Sequence, residues 1–222
     1  MTTSVLVSCE YATCAVPGAQ RALFEGREDE LHSQAGWEPG ALNLAQAFAM
    51  TYRTQLVHGE ITRLLIDLEA GEDNRWTKYA EKLTDQTRER FVARMWSGYR
   101  STLRQRINED LGRHDAVVHL FVHTGGVEAG RVIMRVPEGN GRAADFTTAW
   151  AEAVRQENLD AQMVSGAIPG SLIHELATSY PPERYVPIRL EVAAEYFLDG
   201  RPMRWDAFKK SLIQGFKATL GR

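Results

Sequence analysis

The chain has 222 residues and a formal net charge of −3, with 44% hydrophobic and 25% charged residues. This composition suits one α/β domain over residues 1–222 and excludes the basic surface that a nucleic-acid or membrane partner requires. Two cysteines exclude a disulfide framework, and no apolar run approaches the ~20 residues of a membrane span. Since the N-terminus also lacks a signal-peptide pattern, we expect a cytoplasmic protein.

Short apolar runs predict the strands. Val5, Leu6 and Val7 indicate a buried first strand, and the run AVVHLFVH at residues 116–123 predicts a central one. The other predicted strands are residues 54–57, 131–136, 162–165 and 185–193. The apolar run TRLLIDL at residues 62–68 is a further strand candidate.

Apolar residues at helical spacing predict the helices between these strands. A stripe of apolar residues indicates a helix over residues 41–52. Apolar side chains recur at every fourth position from Phe91 to Ile107 and predict one long helix over residues 85–111. The remaining predicted helices are residues 143–158, 171–178 and 205–220. Because strands alternate with helices, we predict an α/β fold with a mainly parallel mixed sheet and helices on both faces.

Ionisable side chains stand at the ends of three predicted strands, at Glu10, His123 and Glu191. The carboxyl ends of parallel strands meet at one edge of an open sheet. A histidine and a glutamate there can bind zinc, while a second glutamate acts as general base toward a metal-bound water. A hydrogen-bonded core residue is the alternative for such a histidine, and also for His119 on the same face. Cys14 is either a soft metal ligand or a small packed side chain.

Five segments together resemble a known family. They are, in chain order, SCEYATCAVP (8–17), HSQAGWEPGALNLA (32–45), TRLLIDLEAG (62–71), VVHLFVHTGG (117–126) and PPERYVPIRLEVAAEY (181–196). In this order they resemble the motifs of the N-formylglutamate amidohydrolase family, which open with Ser/Thr-Cys-Glu-His. The resemblance implies an α/β fold like that of zinc carboxypeptidases and phosphorylase/hydrolase-like proteins. It also implies metal-dependent hydrolysis of an N-acyl amide bond on a small amino acid.

The resemblance assigns expected roles to individual residues. It implies that Glu10 and His123 bind zinc and that Glu191 is the general base. It implies substrate contacts at four further positions, which are Tyr11, Arg63, Glu69 and Thr124. The expected ligand is a small-molecule N-acyl amino acid or a peptide-like molecule.

Four departures from the family pattern fall in the site. Tyr11 stands where the family has a histidine that binds zinc, and a neutral phenol is a poor ligand because its pKa is near ~10. Glu69 and Ala70 replace the Asn-Arg pair that would hold a substrate carboxylate, and a glutamate there repels such a group. Trp96 replaces a histidine, and the Arg-Asn pair expected before the last strand is absent near Gln162.

Three hypotheses stay open. The first is a hydrolase with altered substrate specificity or impaired activity, in which Cys14 can complete a ligand set with Glu10 and His123. The second is a metal-free, inactive relative that binds a small ligand or a partner protein in the cleft that serves as the active site in the family. In the third, Glu69 and Arg63 recognise a cationic group in place of a carboxylate.

Overall fold

One mixed sheet organises the molecule. The computed structural model describes residues 2–128, 130–166 and 170–221. Its strands are β1 (Thr3–Cys9), β2 (Leu56–His58), β3 (Ala116–Thr124), β4 (Arg131–Val136), β5 (Asp160–Ser165) and β6 (Tyr185–Val192). They lie in the order β2-β1-β3-β6-β4-β5, and every neighbouring pair is parallel except β4 and β6. The predicted α/β fold with a mainly parallel mixed sheet is therefore confirmed.

Helices cover both faces of this sheet, as predicted. They are α1 (Glu28–His32), α2 (Ala41–Tyr52), α3 (Asp85–Phe91), α4 (Ser97–Leu111), α5 (Gly141–Gln156), α6 (Leu172–Ser179), α7 (Glu195–Leu198) and α8 (Pro202–Leu220). Phe48, Trp150 and Phe216 pack α2, α5 and α8 on one face. Leu103 and Leu176 pack α4 and α6 on the other. Among the described helices, none has the length and apolarity that a membrane crossing requires.

Strand β3 lies inside the sheet, and all nine of its residues are buried. It pairs with β1 on one side and with β6 on the other. The register with β6 places His123 beside Glu191 and Phe121 beside Arg189. Because side chains alternate between the two faces of a sheet, these four residues share one face. Phe121 belongs to the core cluster under α4 and α6, so the shared face is the one that those helices cover.

The segment predicted as one long helix, residues 85–111, is divided. A π-helical turn, Val92–Trp96, separates α3 from α4. Tyr99, Leu103 and Ile107 still form one buried stripe beyond this turn. The prediction missed the interruption because one wide turn leaves the four-residue spacing on either side of it intact.

The apolar run at residues 62–68 is not a strand of the sheet. Its backbone forms turns, in which the Leu65 N–H donates to the Thr62 carbonyl oxygen at 3.1 Å. Ile66 makes one isolated bridge to Trp76. Most apolar side chains of the run pack in a separate cluster that includes Phe24, whereas Leu68 packs in the cluster under α4 and α6. The prediction was wrong because a turn buried under its own small core has the composition of a buried strand.

Candidate functional site

The imidazole of His123 lies between two carboxylates. Its Nε2 atom is 3.3 Å from Oε2 of Glu10, and its Nδ1 atom is 3.0 Å from Oε2 of Glu38. His123 and Glu10 are each 1% exposed and Glu38 is 7% exposed. Burial alone lowers the pKa of His123, but the charge of Glu38 and the contacts with both carboxylates outweigh burial and raise it to about 10. The imidazole is therefore positively charged at neutral pH.

Glu10 is the charged partner of this imidazolium. Burial raises the pKa of Glu10, but His123 and the hydroxyl of Tyr99 outweigh burial and lower it to about 2. Tyr99 on α4 donates to Oε1 of Glu10 at 2.8 Å. The contact between Oε2 of Glu10 and Nε2 of His123 lacks hydrogen-bond geometry, and neither atom has another partner among the described residues. These two atoms are the ones that the family resemblance assigns to a metal.

Glu38 connects the loop before α2 to the end of β3. Its Oε2 accepts from the backbone N–H of Thr124 at 3.0 Å as well as from His123. Its Oε1 lies 3.9 Å from the guanidinium of Arg63. The hydroxyl of Thr124 donates to the Pro39 carbonyl oxygen at 2.7 Å and is buried. The backbone N–H and the hydroxyl of Thr124 thus both hold the loop that carries Glu38.

Tyr11 occupies the side of the site where the family resemblance expects a residue that binds zinc. Its hydroxyl lies 2.8 Å from Oδ1 of Asp67 and 3.0 Å from Oε2 of Glu69, and its single proton is shared between them. The guanidinium of Arg63 stacks on the ring at 4.5 Å. Burial and the charge of Asp67 raise the pKa of Tyr11 well above the ordinary value. The phenol therefore stays neutral, and its oxygen points at two carboxylates.

A chain of alternating charges extends from Glu69 to β4. The carboxylate of Glu69 contacts the guanidinium of Arg189. The Nε atom of Arg189 donates to Oε1 of Glu191 at 2.7 Å, and Nε of Arg135 donates to Oε2 of Glu191 at 2.8 Å. Glu191 thus lies beside His123 in the sheet, as expected for the strand ends, and both of its oxygens are held by arginines.

Arg100 and Trp96 fix the loop that carries Glu69. The guanidinium of Arg100 donates to the carbonyl oxygens of Leu68 and Ala70, both at 2.8 Å. The indole N–H of Trp96 donates to Ala70 O at 3.0 Å, and the Arg100 guanidinium lies 3.6 Å from the centre of the Trp96 ring. Trp96 therefore supports the loop instead of supplying the imidazole that the family has there.

The site does not offer the donor set of a catalytic zinc. Such sites use three protein ligands. Among the described residues of this site, only Glu10 and His123 offer buried atoms that could coordinate a metal and that have no hydrogen-bond partner. The Sγ atom of Cys14 lies 3.4 Å from Nδ1 of His32, so its side chain is paired with His32 rather than with Glu10. Tyr11 is neutral and committed to other partners. Over residues 2–128, 130–166 and 170–221, no group of three or more His, Cys, Asp or Glu side chains is arranged around a metal position.

His119 is a packed and hydrogen-bonded core residue. Its ring nitrogens lie 2.7 Å from the hydroxyl oxygen of Tyr185 and 3.0 Å from that of Ser8. The side chain is fully buried, and burial lowers the pKa of His119 to about 3. The imidazole is therefore neutral, in contrast to that of His123 four residues later.

Comparison with known proteins identifies the family and supports the fold. The family model for N-formylglutamate amidohydrolase matches residues 3–166 of the chain. The chain belongs to the N-formylglutamate amidohydrolase family. The gene product Atu2144 from Agrobacterium tumefaciens has a TM-score of 0.78 at 20% identity, over 98% of this chain and 89% of that one. An N-formylglutamate amidohydrolase from Ralstonia eutropha JMP134 has a TM-score of 0.64 at 14% identity, over 99% and 94%. No curated protein sequence matches significantly.

Sequence reasoning missed several residues of this N-formylglutamate amidohydrolase family site. Glu38 lies in one of the segments that resemble the family, but no role was predicted for it, although its carboxylate contacts His123 directly. Arg189 was missed although it stands two residues before Glu191, a spacing that places both on one strand face. Arg135 had no detectable signal, because its pairing with Glu191 depends on the antiparallel register of β4 and β6.

Proposed function

We propose that this member of the family is an amidohydrolase-like protein with altered substrate specificity or impaired hydrolytic activity. Its ligand is a small N-acyl amino acid or a peptide-like molecule that binds at the carboxyl ends of the strands. The observation that carries the proposal is that the charged side chains around His123 are paired with one another within the protein. The imidazolium lies between the carboxylates of Glu10 and Glu38, while Tyr11 stands where the family resemblance expects a third metal ligand.

The proposed roles follow from the side chains that remain. Glu191 is the candidate general base, held in place by Arg135 and Arg189. The ring of Tyr11 and the guanidinium of Arg63 form a stacked pair, and we assign ligand contacts to both. Zinc is the cofactor that the family implies, but the donor set described above does not fit it, so no catalytic step is derived through a metal.

Substrate preference is expected to differ from that for a small acidic amino acid. Glu69 stands in the position of the carboxylate clamp, and its charge is matched by Arg189 from within the chain. Arg63 donates to the carbonyl oxygens of Ala35 and Gln34 and lies near Glu38. Both guanidiniums are thus engaged by protein oxygens, which favours a neutral or cationic side chain on the ligand.

A metal-free binding protein is the second candidate. It is favoured by the hydrogen bond from Tyr11 to Asp67 and by the ion pairs from Glu69 through Arg189 to Glu191, because these engage the candidate site residues with partners from within the chain. In this case the cleft binds an acylated amino acid or a segment of a partner protein without cleaving it.

One experiment separates the two candidates. Purified protein is incubated with zinc, dialysed and measured for metal content, and is then assayed on N-formyl and N-acetyl derivatives of glutamate, glutamine and lysine. Amide cleavage that is lost in Glu191→Gln and kept in the exposed control Glu25→Gln supports the altered hydrolase. Binding of these compounds without cleavage supports the binding protein. Neither cleavage nor binding of any of them contradicts both.

A further inference from the structure

A groove of about 360 Å³ lies between the edge strand β2 and the helical segment that ends in α4. Residues 55–60 line one side, and side chains between Arg94 and Arg106 line the other. Six residues of extended chain span about 20 Å, and the twelve helical steps from residue 94 to residue 106 span about 18 Å. The two walls are therefore matched in length to an extended peptide of about six residues.

The β2 wall carries backbone groups that can pair with another strand. The Gly59 N–H donates to the Cys9 carbonyl oxygen of β1 at 2.9 Å. Since alternate residues of a parallel strand face the same neighbour, Leu56 and His58 turn their N–H and C=O groups away from β1. β2 is the end strand of the sheet, and no described strand pairs with its outer side.

The side chains that line the groove carry a net positive charge of one, from two arginines against one glutamate. Arg94 is exposed and makes no ion pair within the described parts of the chain, and Arg106 makes a half-exposed pair with Glu109 at 2.8 Å. Arg53 lines a second hollow on β2, next to Met50, whose side chain is 80% exposed. Glu60 is the single acidic residue among the described residues that line the groove.

The middle of the helical wall leaves room for a chain to approach. Gly98 lies between the two arginines, and a Cβ atom placed there would meet only Ala93 O, at 3.4 Å. Thr102, one turn later, is small and exposed. A backbone can therefore pass close to the helix at this point while its acidic side chains reach the arginines at either end.

We propose that this groove binds an extended, acidic peptide segment of a partner protein, which adds to β2 as a seventh strand. Backbone pairing with Leu56 and His58 supplies the register, and Arg94 and Arg106 select acidic side chains. The groove is lined by β2 and α4 rather than by His123 and Glu191, so the proposal stands independently of the amide chemistry.

The test uses a fluorescein-labelled peptide of about six residues that alternates glutamate and valine, with binding followed by fluorescence anisotropy. The double variant R94E/R106E is expected to bind it at least about tenfold more weakly than the wild type. The matched control is R90E/R113E, which reverses two exposed arginines outside the groove and leaves binding unchanged. A second variant, Gly98→Leu, raises helix propensity and fills the groove without changing charge, and is expected to weaken binding similarly.

Two altered peptides complete the design. A lysine-valine peptide tests charge selection, and a glutamate-valine peptide with N-methylated alternate amides tests strand pairing, since methylation removes the donors. Both are expected to lose binding. Equal binding of either altered peptide, or equal binding by R94E/R106E and R90E/R113E, would overturn the proposal. Melting curves for each variant establish that a loss of binding does not reflect unfolding.

Discussion

Oε2 of Glu10 and Nε2 of His123 face each other at 3.3 Å, and this contact joins the ends of β1 and β3 inside the protein. Both side chains are 1% exposed. Two donor atoms that the family resemblance assigns to a metal are thereby held as an internal ion pair. This ion pair therefore contributes to the stability of the folded protein.

Glu10→Gln is expected to lower the free energy of unfolding by about 3 kcal/mol. The substitution keeps the shape of the side chain but leaves the buried imidazolium with Glu38 alone, and breaking one side of a buried pair is costly. Urea unfolding followed by circular dichroism measures the change. The control Glu25→Gln, at an exposed position, is expected to stay within about 0.5 kcal/mol of the wild type. Equal unfolding of both variants would contradict the ion pair.

The sequence predicted the parts of this arrangement that depend on residues close together along the chain, and it did not predict the contacts between distant segments. Val5 to Val7 and the 116–123 run were found from composition, and the strand-end rule brought Glu10 and His123 to one edge. These features are local or follow from parallel topology. Glu38 reaches His123 from a loop, and its place was set by packing that no periodicity encodes.

The same reasoning explains what was missed around Glu191. Its position at a strand end follows from the sequence pattern, but its ion pair with Arg135 requires the register of β4 against β6. Arg189 lies on the same strand, whereas Arg135 comes from β4, which pairs antiparallel with β6. A sequence that predicts a mainly parallel sheet gives no way to locate the antiparallel neighbour.

The stability of the protein is expected to fall as pH rises from neutral toward about 10, in part because of His123. The pKa of His123 is about 10 in the folded state and ~6.5 in the unfolded chain. A raised folded-state pKa contributes stability that is complete below the unfolded value and is lost as pH rises through the folded value. Unfolding free energies of wild type and His123→Gln are compared between pH 6 and 10. The difference between them shrinks with rising pH, and a constant difference would contradict the assigned charge.

His119 is expected to produce the opposite slope in acid. Its folded-state pKa is lowered to about 3 by burial, while the unfolded chain takes up the proton near ~6.5. The unfolded state therefore binds more protons between these values, so stability decreases as pH falls from ~6.5 toward 3. His119→Gln is expected to show a shallower decline than the wild type over pH 4 to 6.5. An unchanged slope in the variant would mean that His119 is protonated in the folded protein.

Tyr11→His is expected to create a zinc site. The substitution restores a nitrogen donor beside Glu10 and His123 and removes the phenol that bonds to Asp67 and Glu69. With three donors the variant binds about one zinc per chain, which is measured by competition with a chromogenic chelator. The control Tyr11→Phe removes the hydroxyl without adding a donor and is expected to bind no more zinc than the wild type.

A double variant decides whether the new site uses the expected ligands. Adding Glu10→Gln to Tyr11→His removes a carboxylate donor and is expected to abolish the gained zinc binding. Zinc binding that survives in the double variant would place the metal elsewhere, for example at the Cys14 and His32 pair. Tight binding by the wild type would show that two donors are enough here, and the ion pair between Glu10 and His123 would then be the metal-free state of a working metal site.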